Sequence, residues 1–545
     1  MSKVIRGTHG ISIPAIVLGL GVLLTLLLQF YSRDGVLFSG DGGLKALLAQ
    51  QWAAGVWRFD LHIPIEPWIE QLWQQDLYPF TPPYVYDQGD RFFITFPFTF
   101  PLVTAPFYAL MGYRGLYVVP LVALWAIWWR VYQIGQRLNL SATMQGVALV
   151  TLIFAAPLSI YGAMYWEHTL AVALALWGVS LALFPKGEKL GLGSAIAAGI
   201  LTGLSVWFRP EFLCLIAILG LLLAVSLLKL QPLAWLNPAP GQIFGFGLAM
   251  VATVLVFFGL NIMVYGHPLG IHALQIVEES SLKQQVKQAI ASYKQLIGSL
   301  NHYFPMVLFA LAAAIAGFVI RPLQLPGRSR LILLICLLFV FAVPLIIPPG
   351  AGGKQWGPRF YLILVPLVSL VVAQQLQQAM SGMRGVGRYV PLALFATACL
   401  MGTQINLYGS TLGQQANPIY GSVPLSENHE RIGAAIIALA DNPDPYVAMS
   451  HQFVAQQFWA ALPQKIFFRT DTTEAVKTLA AGMAEQGIDQ FLYVCYPHRD
   501  CPTPEESASA LQFDLGGQLA QLDFSLLGEF GLYPIYQITS VFPET

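Results

Sequence analysis

Apolar residues run in eleven long stretches, at roughly 11–30, 115–132, 141–158, 168–184, 190–207, 212–228, 243–263, 304–320, 331–348, 360–375 and 389–407. Most approach the ~20 residues that a helix needs to cross about 30 Å of hydrocarbon. Basic residues sort the links between them. With Lys3 and Arg6 held inside, Arg130, Arg137, Lys186, Lys189, Lys229, Arg321, Arg328, Arg330, Arg384 and Arg388 fall on that same side, and no second topology fits so cleanly. The pattern predicts a polytopic α-helical membrane protein with about 11 transmembrane helices and a cytoplasmic N-terminus. No small-residue cleavage site follows the first stretch, where the chain continues Gln29-Phe-Tyr-Ser-Arg33, so an anchored helix is expected and not a cleaved signal peptide.

Three segments are too long and polar to be turns, 31–96, 267–302 and 409–545, and the topology places all three outside. The chain therefore divides into a transmembrane domain over 1–408, carrying the outer loop 31–96, and an extracytoplasmic α/β domain over 409–545. In the outer loop, Phe38 to Lys45 predicts a loop that delivers Asp41 to an amphipathic helix beginning near Ala46 and reaching Trp52. Ile65 to Trp73 predicts a second short helix begun near Pro67, and Tyr84 to Phe96 a hairpin turning at Gln88 to Asp90. Trp52, Trp57, Trp68 and Trp73 read as interfacial anchors rather than sugar-stacking residues. A surface helix is expected from Gln275 to Leu300, with Glu278, Glu279, Lys283 and Lys287 along it. In the tail, Tyr446 to Ser450, Lys465 to Phe468 and Phe491 to Cys495 predict strands, His451 to Leu462 and Thr473 to Gln486 helices, and Tyr533 to Ile538 a closing piece.

Composition narrows the class. With 56% hydrophobic and 10% charged residues and a mean hydropathy of +0.62, a soluble multidomain protein is excluded. The 28 basic and 28 acidic residues cancel, so neither nucleic acid nor an anionic membrane surface is implied as a partner. Cys214, Cys336 and Cys399 lie in apolar stretches and read as packing residues. Cys495 and Cys501 share the outer tail, where an oxidising compartment leaves a local disulfide and two separate thiols equally open readings.

The chemistry gathers where helices meet the outer face. Asp41 is flanked by Gly40, Gly42 and Gly43, which free the backbone and let a bulky substrate come close; the simpler reading, an N-cap, is compatible with it. Glu167 and His168 open the fourth stretch, Arg209 and Glu211 turn between the fifth and sixth, and Lys354 and Arg359 precede the tenth. Any one of these could be a snorkelling residue or part of an internal ion pair that ties helix ends together. Together on one face they describe a carboxylate and a cationic zone able to hold a phosphate, in part through bidentate arginine geometry. His267 and His272 have no metal-ligand spacing, so no zinc site is assigned.

The long first outer loop with Ser39-Gly-Asp-Gly-Gly-Leu-Lys45, then Trp166-Glu-His168, Arg209-Pro-Glu211 and Trp356-Gly-Pro-Arg-Phe360, resembles the polyprenyl-phosphate-dependent membrane glycosyltransferases of the GT-C superfamily, relatives of protein mannosyltransferases and the lipid A aminoarabinose transferase. The likeness spans most of 1–408. It implies a GT-C-like fold, an acidic residue in the first outer loop with interfacial helices after it, and sugar transfer at the outer face of a bacterial inner membrane, with the C-terminal domain in the periplasm. Many members carry two adjacent acids in that loop, whereas Gly42 follows Asp41 here, so a single carboxylate carries over. Whether Mg²⁺ or Mn²⁺ bridges Asp41 and the donor stays open.

The expected activity is transfer of a sugar from a polyprenyl-phosphate donor to a lipid or glycan acceptor, with inversion and with Asp41 as general base. Arg359, Arg209 and Lys354 would bind the donor phosphate, His168 would assist as donor, and Glu167 and Glu211 would orient the cations or hold sugar hydroxyls. One cavity opening to lipid between Asp41, Glu167, Arg209 and Arg359 is expected. The alternatives are a transporter or lipid flippase, suggested by the Gly- and Pro-interrupted segments 97–112 and 341–366, and a catalytically silent scaffold. No internal repeat pairs those two segments.

Overall fold

The structure is a computed structural model that describes residues 12–32, 34–63, 65–89, 91–185, 190–227, 240–271, 282–320, 324–347, 355–411, 424–499, 501, 512–515 and 518–541. Along the chain run α1 (Ile13–Leu28), α2 (Gly40–Ala53) and α3 (Pro67–Leu72). The hairpin β1 (Val85–Asp87) and β2 (Phe92–Ile94) then precedes α4 (Thr99–Met111) and α5 (Val118–Arg137). Next come α6 (Ala142–Ile153), α7 (His168–Leu183), α8 (Leu192–Phe208), α9 (Leu213–Leu227) and α10 (Pro240–Tyr265). They are followed by α11 (Leu282–Tyr303), α12 (Met306–Val319), α13 (Gly327–Ala342), α14 (Leu364–Gly382) and α15 (Tyr389–Thr403). The last portion holds α16 (Leu425–Asp441), β3 (Tyr446–Met449), α17 (Phe453–Gln457), β4 (Ile466–Arg469) and α18 (Thr473–Glu485). It ends with β5 (Gln490–Val494), β6 (Gln512–Leu515), β7 (Gln518–Phe530) and β8 (Tyr533–Val541).

Each of the eleven apolar stretches holds a helix: α1, α5 to α10, and α12 to α15. Length and composition qualify fewer of them as crossings. Among the described residues five helices are long and apolar enough to span a membrane, or up to seven if each of two bent pairs is one span, while α7, α8 and Pro210–Val225 are apolar but shorter. Two compact units emerge, one of Met1–Phe30, Val119–Pro268 and Ile276–Pro424, the other of Tyr31–Val118, Leu269–Gln275 and Leu425–Thr545.

In the first unit, small residues set the spacing of the helices. Gly199 and Gly203 lie one turn apart on α8, and a Cβ on either would come within 3 Å of the α10 backbone, at 2.3 Å from Phe246 O and 2.9 Å from Met250 O. Close backbone approach of this kind substitutes for a hydrophobic driving force that lipid cannot supply. Arg130, expected in a link, is instead buried within α5: its Nε donates to Ser180 Oγ at 2.6 Å and its guanidinium lies 4.6 Å from the centre of the Trp177 ring. Lys3, Arg6, Lys186, Lys189, Lys229 and Arg321 lie outside the described residues.

The second unit is built on a six-stranded mixed sheet in the order β4-β3-β5-β8-β7-β6. Strand β3 runs parallel to β4 and β5, with Tyr446 opposite Ile466, and the remaining pairs are antiparallel. The predicted strands and the helix from Thr473 are present, the predicted helix His451–Leu462 is broken into the short α17 and a 3-10 turn at Trp459–Ala461, and α16, β6 and β7 are additional. Cys495 and Cys501 are joined in a disulfide. In the outer loop, α3 and the β1–β2 hairpin form as predicted, with Gly89 at φ +62° in its turn. Trp57 stays 71% exposed, but Trp52 and Trp73 turn inward, donating from their indoles to Arg58 O at 2.7 Å and Phe467 O at 3.3 Å, so these two are core residues and not interfacial anchors. Of the predicted helix from Gln275, the part from Leu282 onward is present as α11; His272, Glu278 and Glu279 lie outside the described residues.

The glycines around Asp41 serve packing. None of Gly40, Gly42 or Gly43 has a positive φ. A Cβ on Gly43 would lie 1.8 Å from the Gln456 carbonyl oxygen, and one on Gly40 would lie 2.6 Å from Gln456 Oε1. The run therefore lets α2 press its backbone against α17, which corrects the expectation of a loop freed for a substrate. Alanine at Gly43 would gain about 1 kcal/mol of helix propensity. Overpacking against backbone outweighs it, so Gly43→Ala is expected to lower stability by about 2 kcal/mol. Gly19→Ala, inside α1 with nothing within 4 Å, serves as the control and keeps that gain, raising stability by up to about 1 kcal/mol. Thermal unfolding of both variants in detergent checks this; a wild-type midpoint for Gly43→Ala would contradict the close approach.

Candidate functional site

The turns joining α7, α8 and α9 hold three ionisable groups in one knot. Glu167 immediately precedes α7, Arg209 follows α8 in extended conformation, and Glu211 sits in the single 3-10 turn, Pro210–Phe212, that leads into α9. Arg209 Nε donates to Glu211 Oε1 at 2.7 Å and Nη1 to Glu167 Oε1 at 3.0 Å. The glutamate side chains are 2% and 6% exposed and the arginine 13%, so all three are largely out of water. Burial alone would lower the guanidinium pKa; the two carboxylates outweigh it and raise the pKa above its ordinary value. Counted formally, one cation between two anions leaves the group at −1. Arg209 is thus a strut between helix ends, the simpler of the two readings open to it from sequence.

A second arginine is set by the turn before α14. Gly357 has φ +70°, and a Cβ there would lie 3.0 Å from Pro157 Cβ and 3.4 Å from Tyr303 Cβ, so this left-handed position suits glycine twice over. The turn Arg359–Tyr361 follows, with the Arg359 guanidinium carbon 4.9 Å from the Phe360 ring centre and 5.7 Å from that of Trp166. Phe360 also lies 5.3 Å from the Arg209 guanidinium, so one ring stands within cation–π range of both. His168, the first residue of α7 and 3% exposed, packs against Trp166 at 4.9 Å and Tyr161 at 5.4 Å. Behind this aromatic patch, Tyr161 Oη donates to Trp356 O at 2.8 Å and Trp356 Nε1 to Asn406 Oδ1 at 3.2 Å, while Asn406 Nδ2 donates to Tyr303 O at 2.7 Å. Sequence reading placed Phe360 in a motif without a role, and missed Tyr161, Tyr303 and Asn406. A lone asparagine inside an apolar stretch was the available signal for the last, since a buried amide must find partners.

Asp41 belongs to the second unit. The helix begins earlier than expected, at Gly40, with Ser39 extended before it and making no side-chain cap bond, so Asp41 sits in the first turn of α2 and is not the N-cap. A carboxylate there is favoured by the partial positive charge of the helix start. Lys45, one turn on and on the same face, is 2% exposed, with its Nζ 4.5 Å from the Phe96 ring centre. Glu167, His168, Arg209, Glu211 and Arg359 are thus brought together in the first unit, and Lys354 lies outside the described residues. Among the described residues no three His, Cys, Asp or Glu side chains come together to hold a metal ion. If a divalent cation serves the transfer, Asp41 is the carboxylate among these residues that would hold it.

No family model matches the sequence, and no curated protein does. Solved structures do. ArnT from Cupriavidus metallidurans bound to undecaprenyl phosphate superposes with a TM-score of 0.53 at 11% identity, covering 95% of this chain and 97% of that one. The oligosaccharyltransferase of Archaeoglobus fulgidus in the apo form gives 0.48 at 12% identity, over 88% of this chain and 69% of that one. The chain shares the fold of the first of these, in keeping with the resemblance in its motifs.

The ion knot makes a quantitative prediction. Removing one partner of a buried charged set costs about 3–5 kcal/mol because the remainder is left uncompensated, whereas neutral replacement of the whole set is much cheaper. Arg209→Ala is therefore expected to lower the thermal midpoint strongly, and the triple variant Arg209→Met, Glu167→Gln, Glu211→Gln to recover most of the loss. Equal instability of the two in detergent melts would show that the knot is not what holds these helix ends.

Proposed function

We propose that this chain transfers a sugar from a polyprenyl-phosphate donor to a hydroxyl of a lipid or glycan acceptor at the outer face of a membrane. What supports it most is the fold, followed over 95% of the chain, of a protein solved with undecaprenyl phosphate bound. The side chains fit the chemistry. The acceptor oxygen attacks the anomeric carbon from the face opposite the phosphate, the bond from that carbon to the phosphate oxygen breaks, and the polyprenyl phosphate leaves with the electron pair. Inversion follows. Asp41, half-buried in the first turn of α2, takes the acceptor proton as general base. With phosphate as the leaving group no second carboxyl is needed as acid, in contrast to the paired acids of glycosidases. A single acid in Ser39-Gly-Asp-Gly-Gly is therefore sufficient.

Arg359 neutralises the charge that grows on the leaving phosphate, an effect strengthened where lipid and protein exclude water. Its ring neighbours Phe360 and Trp166 flank the guanidinium, whose planar fork suits a bidentate contact with a phosphate. Arg209, tied to two carboxylates, supports this group by fixing the helix ends around Phe360. Glu167 and Glu211 hold that strut, and His168 stands beside Trp166 as a further hydrogen-bond donor to the substrate. The Cys495–Cys501 disulfide suits an oxidising outer compartment for the C-terminal portion.

Two substitutions test these roles separately. Asp41→Asn keeps the size and removes the base, and is expected to lower turnover at saturating donor by at least about 100-fold; wild-type turnover would sink the assignment. Arg359→Ala is expected to lower kcat/KM for the donor by about 100-fold or more, read from initial rates with the donor varied. An unchanged value would remove Arg359 from the phosphate.

A further inference from the structure

We propose that the second unit carries a saccharide-binding cleft between α3 and α18 that docks the glycan portion of the acceptor. This deepens the transfer reading above and rests on it. The cleft measures about 500 Å³, within the range of small-ligand sites, and is lined by Trp68, Gln71 and Gln75 on one side and Lys477, Glu485 and Gln486 on the other.

Its chemistry selects the ligand class. Four amides, two carboxylates and an ammonium offer both donors and acceptors, which suits hydroxyls that both give and take hydrogen bonds. Trp68 adds a half-exposed indole for the C–H face of a sugar ring. That ring is held in place: its Nε1 donates to Glu66 Oε2 at 2.7 Å, and it meets Tyr446 edge-on at 5.5 Å. A lipid tail would find too many polar walls here. A polyanion would meet Glu474 and Glu485 beside the single Lys477.

The backbone at the rim points the same way. After α3 the chain makes one wide turn, Trp73–Leu77, in which Gln75 leaves helical geometry and Asp76 takes φ +65°. A left-handed non-glycine residue persists only where its surroundings over-determine it, and such wide turns recur at functional sites. Here Arg469 Nη2 donates to Asp76 O at 3.0 Å, and Trp73 Nε1 reaches Phe467 O from the other end. The distortion carries Gln75 to the cleft wall. Gly482 sets the depth: a Cβ there would come 2.7 Å from Leu72 Cδ2, so glycine lets α18 sit close over α3 and close the floor.

The test uses the full-length protein in detergent, fluorescently labelled, on an array of neutral and acidic microbial oligosaccharides. At least one oligosaccharide is expected to bind. Trp68→Ala, and separately the pair Gln75→Ala with Lys477→Ala, should weaken it at least about tenfold, whereas Trp68→Phe retains it. Thr478→Trp, which fills the cleft at the loss only of the exposed bond from Thr478 Oγ1 to Glu474 O, should abolish binding while the thermal midpoint stays near that of the wild type. Binding to no oligosaccharide, or binding indifferent to all these variants, overturns the proposal. Asp41→Asn separates it from the transfer reading. If that variant transfers sugar at the wild-type rate while the cleft variants still lose the glycan, the transfer mechanism falls and the cleft stands. If Asp41→Asn is inactive and the cleft variants bind normally, the reverse holds.

Discussion

Charges buried beside hydrocarbon have to be answered by other charges, and the knot of Arg209 with Glu167 and Glu211 is where the first unit meets that demand. Three helices depend on it, because Glu167 stands before α7, Arg209 after α8 and Glu211 before α9. Once these ends are fixed, Phe360 lies between two guanidiniums and the turn that carries Arg359 has a defined neighbour. Gly199 and Gly203 act along one of these helices, α8, setting how near the α10 backbone can come to it. Electrostatics at the helix ends and close packing along their length thus fix one arrangement between them.

In the second unit the constraint is purely steric. Gly43 leaves no room for a single carbon between α2 and the Gln456 carbonyl, so the helix that carries Asp41 is positioned by a segment near the other end of the chain. Thr81 adds to this by donating its N–H to Gln452 Oε1 at 3.0 Å. The C-terminal residues therefore belong to the framework of the outer loop, and the two build one compact body.

Much of the fold was legible in the sequence because its signals were local. A run of apolar residues marks a helix wherever it packs, and Gln88-Gly89 marks a turn through φ alone. Strands β3, β4 and β5 announced themselves as short β-rich runs bounded by polar breaks. The β7 strand carried its own signal, with Ala520 and Leu522 inward and Gln521 and Asp523 outward, and α16 likewise through Ile432, Ala435 and Leu439. What could not be read was partnership. Nothing in Ser39-Gly-Asp-Gly-Gly distinguishes a loop freed for a substrate from a helix pressed against Gln456, since both need glycine. Arg130 looked like a link residue because its hydroxyl and indole partners, Ser180 and Trp177, lie about fifty residues on. Of the charged candidates, residue types and order were visible, but which arginine would be consumed by internal carboxylates depended on distances that sequence does not encode.

The division of the second unit among distant stretches of chain has a consequence for synthesis. Asp41 and Gly43 emerge early, while Gln456, against which their helix packs, follows 413 residues after Gly43. At translation rates of about 5–20 residues per second, α2 waits roughly 20–80 s for its partner to exist. During that interval the first outer loop has lost its buttress, and its apolar face is available to lipid or to a chaperone. Assembly of the carboxylate-bearing helix is thus completed only on the ribosome's arrival at the far end of the message, and a chain released early would present Asp41 on a helix packed against α4 but lacking the Gln456 side of its seat.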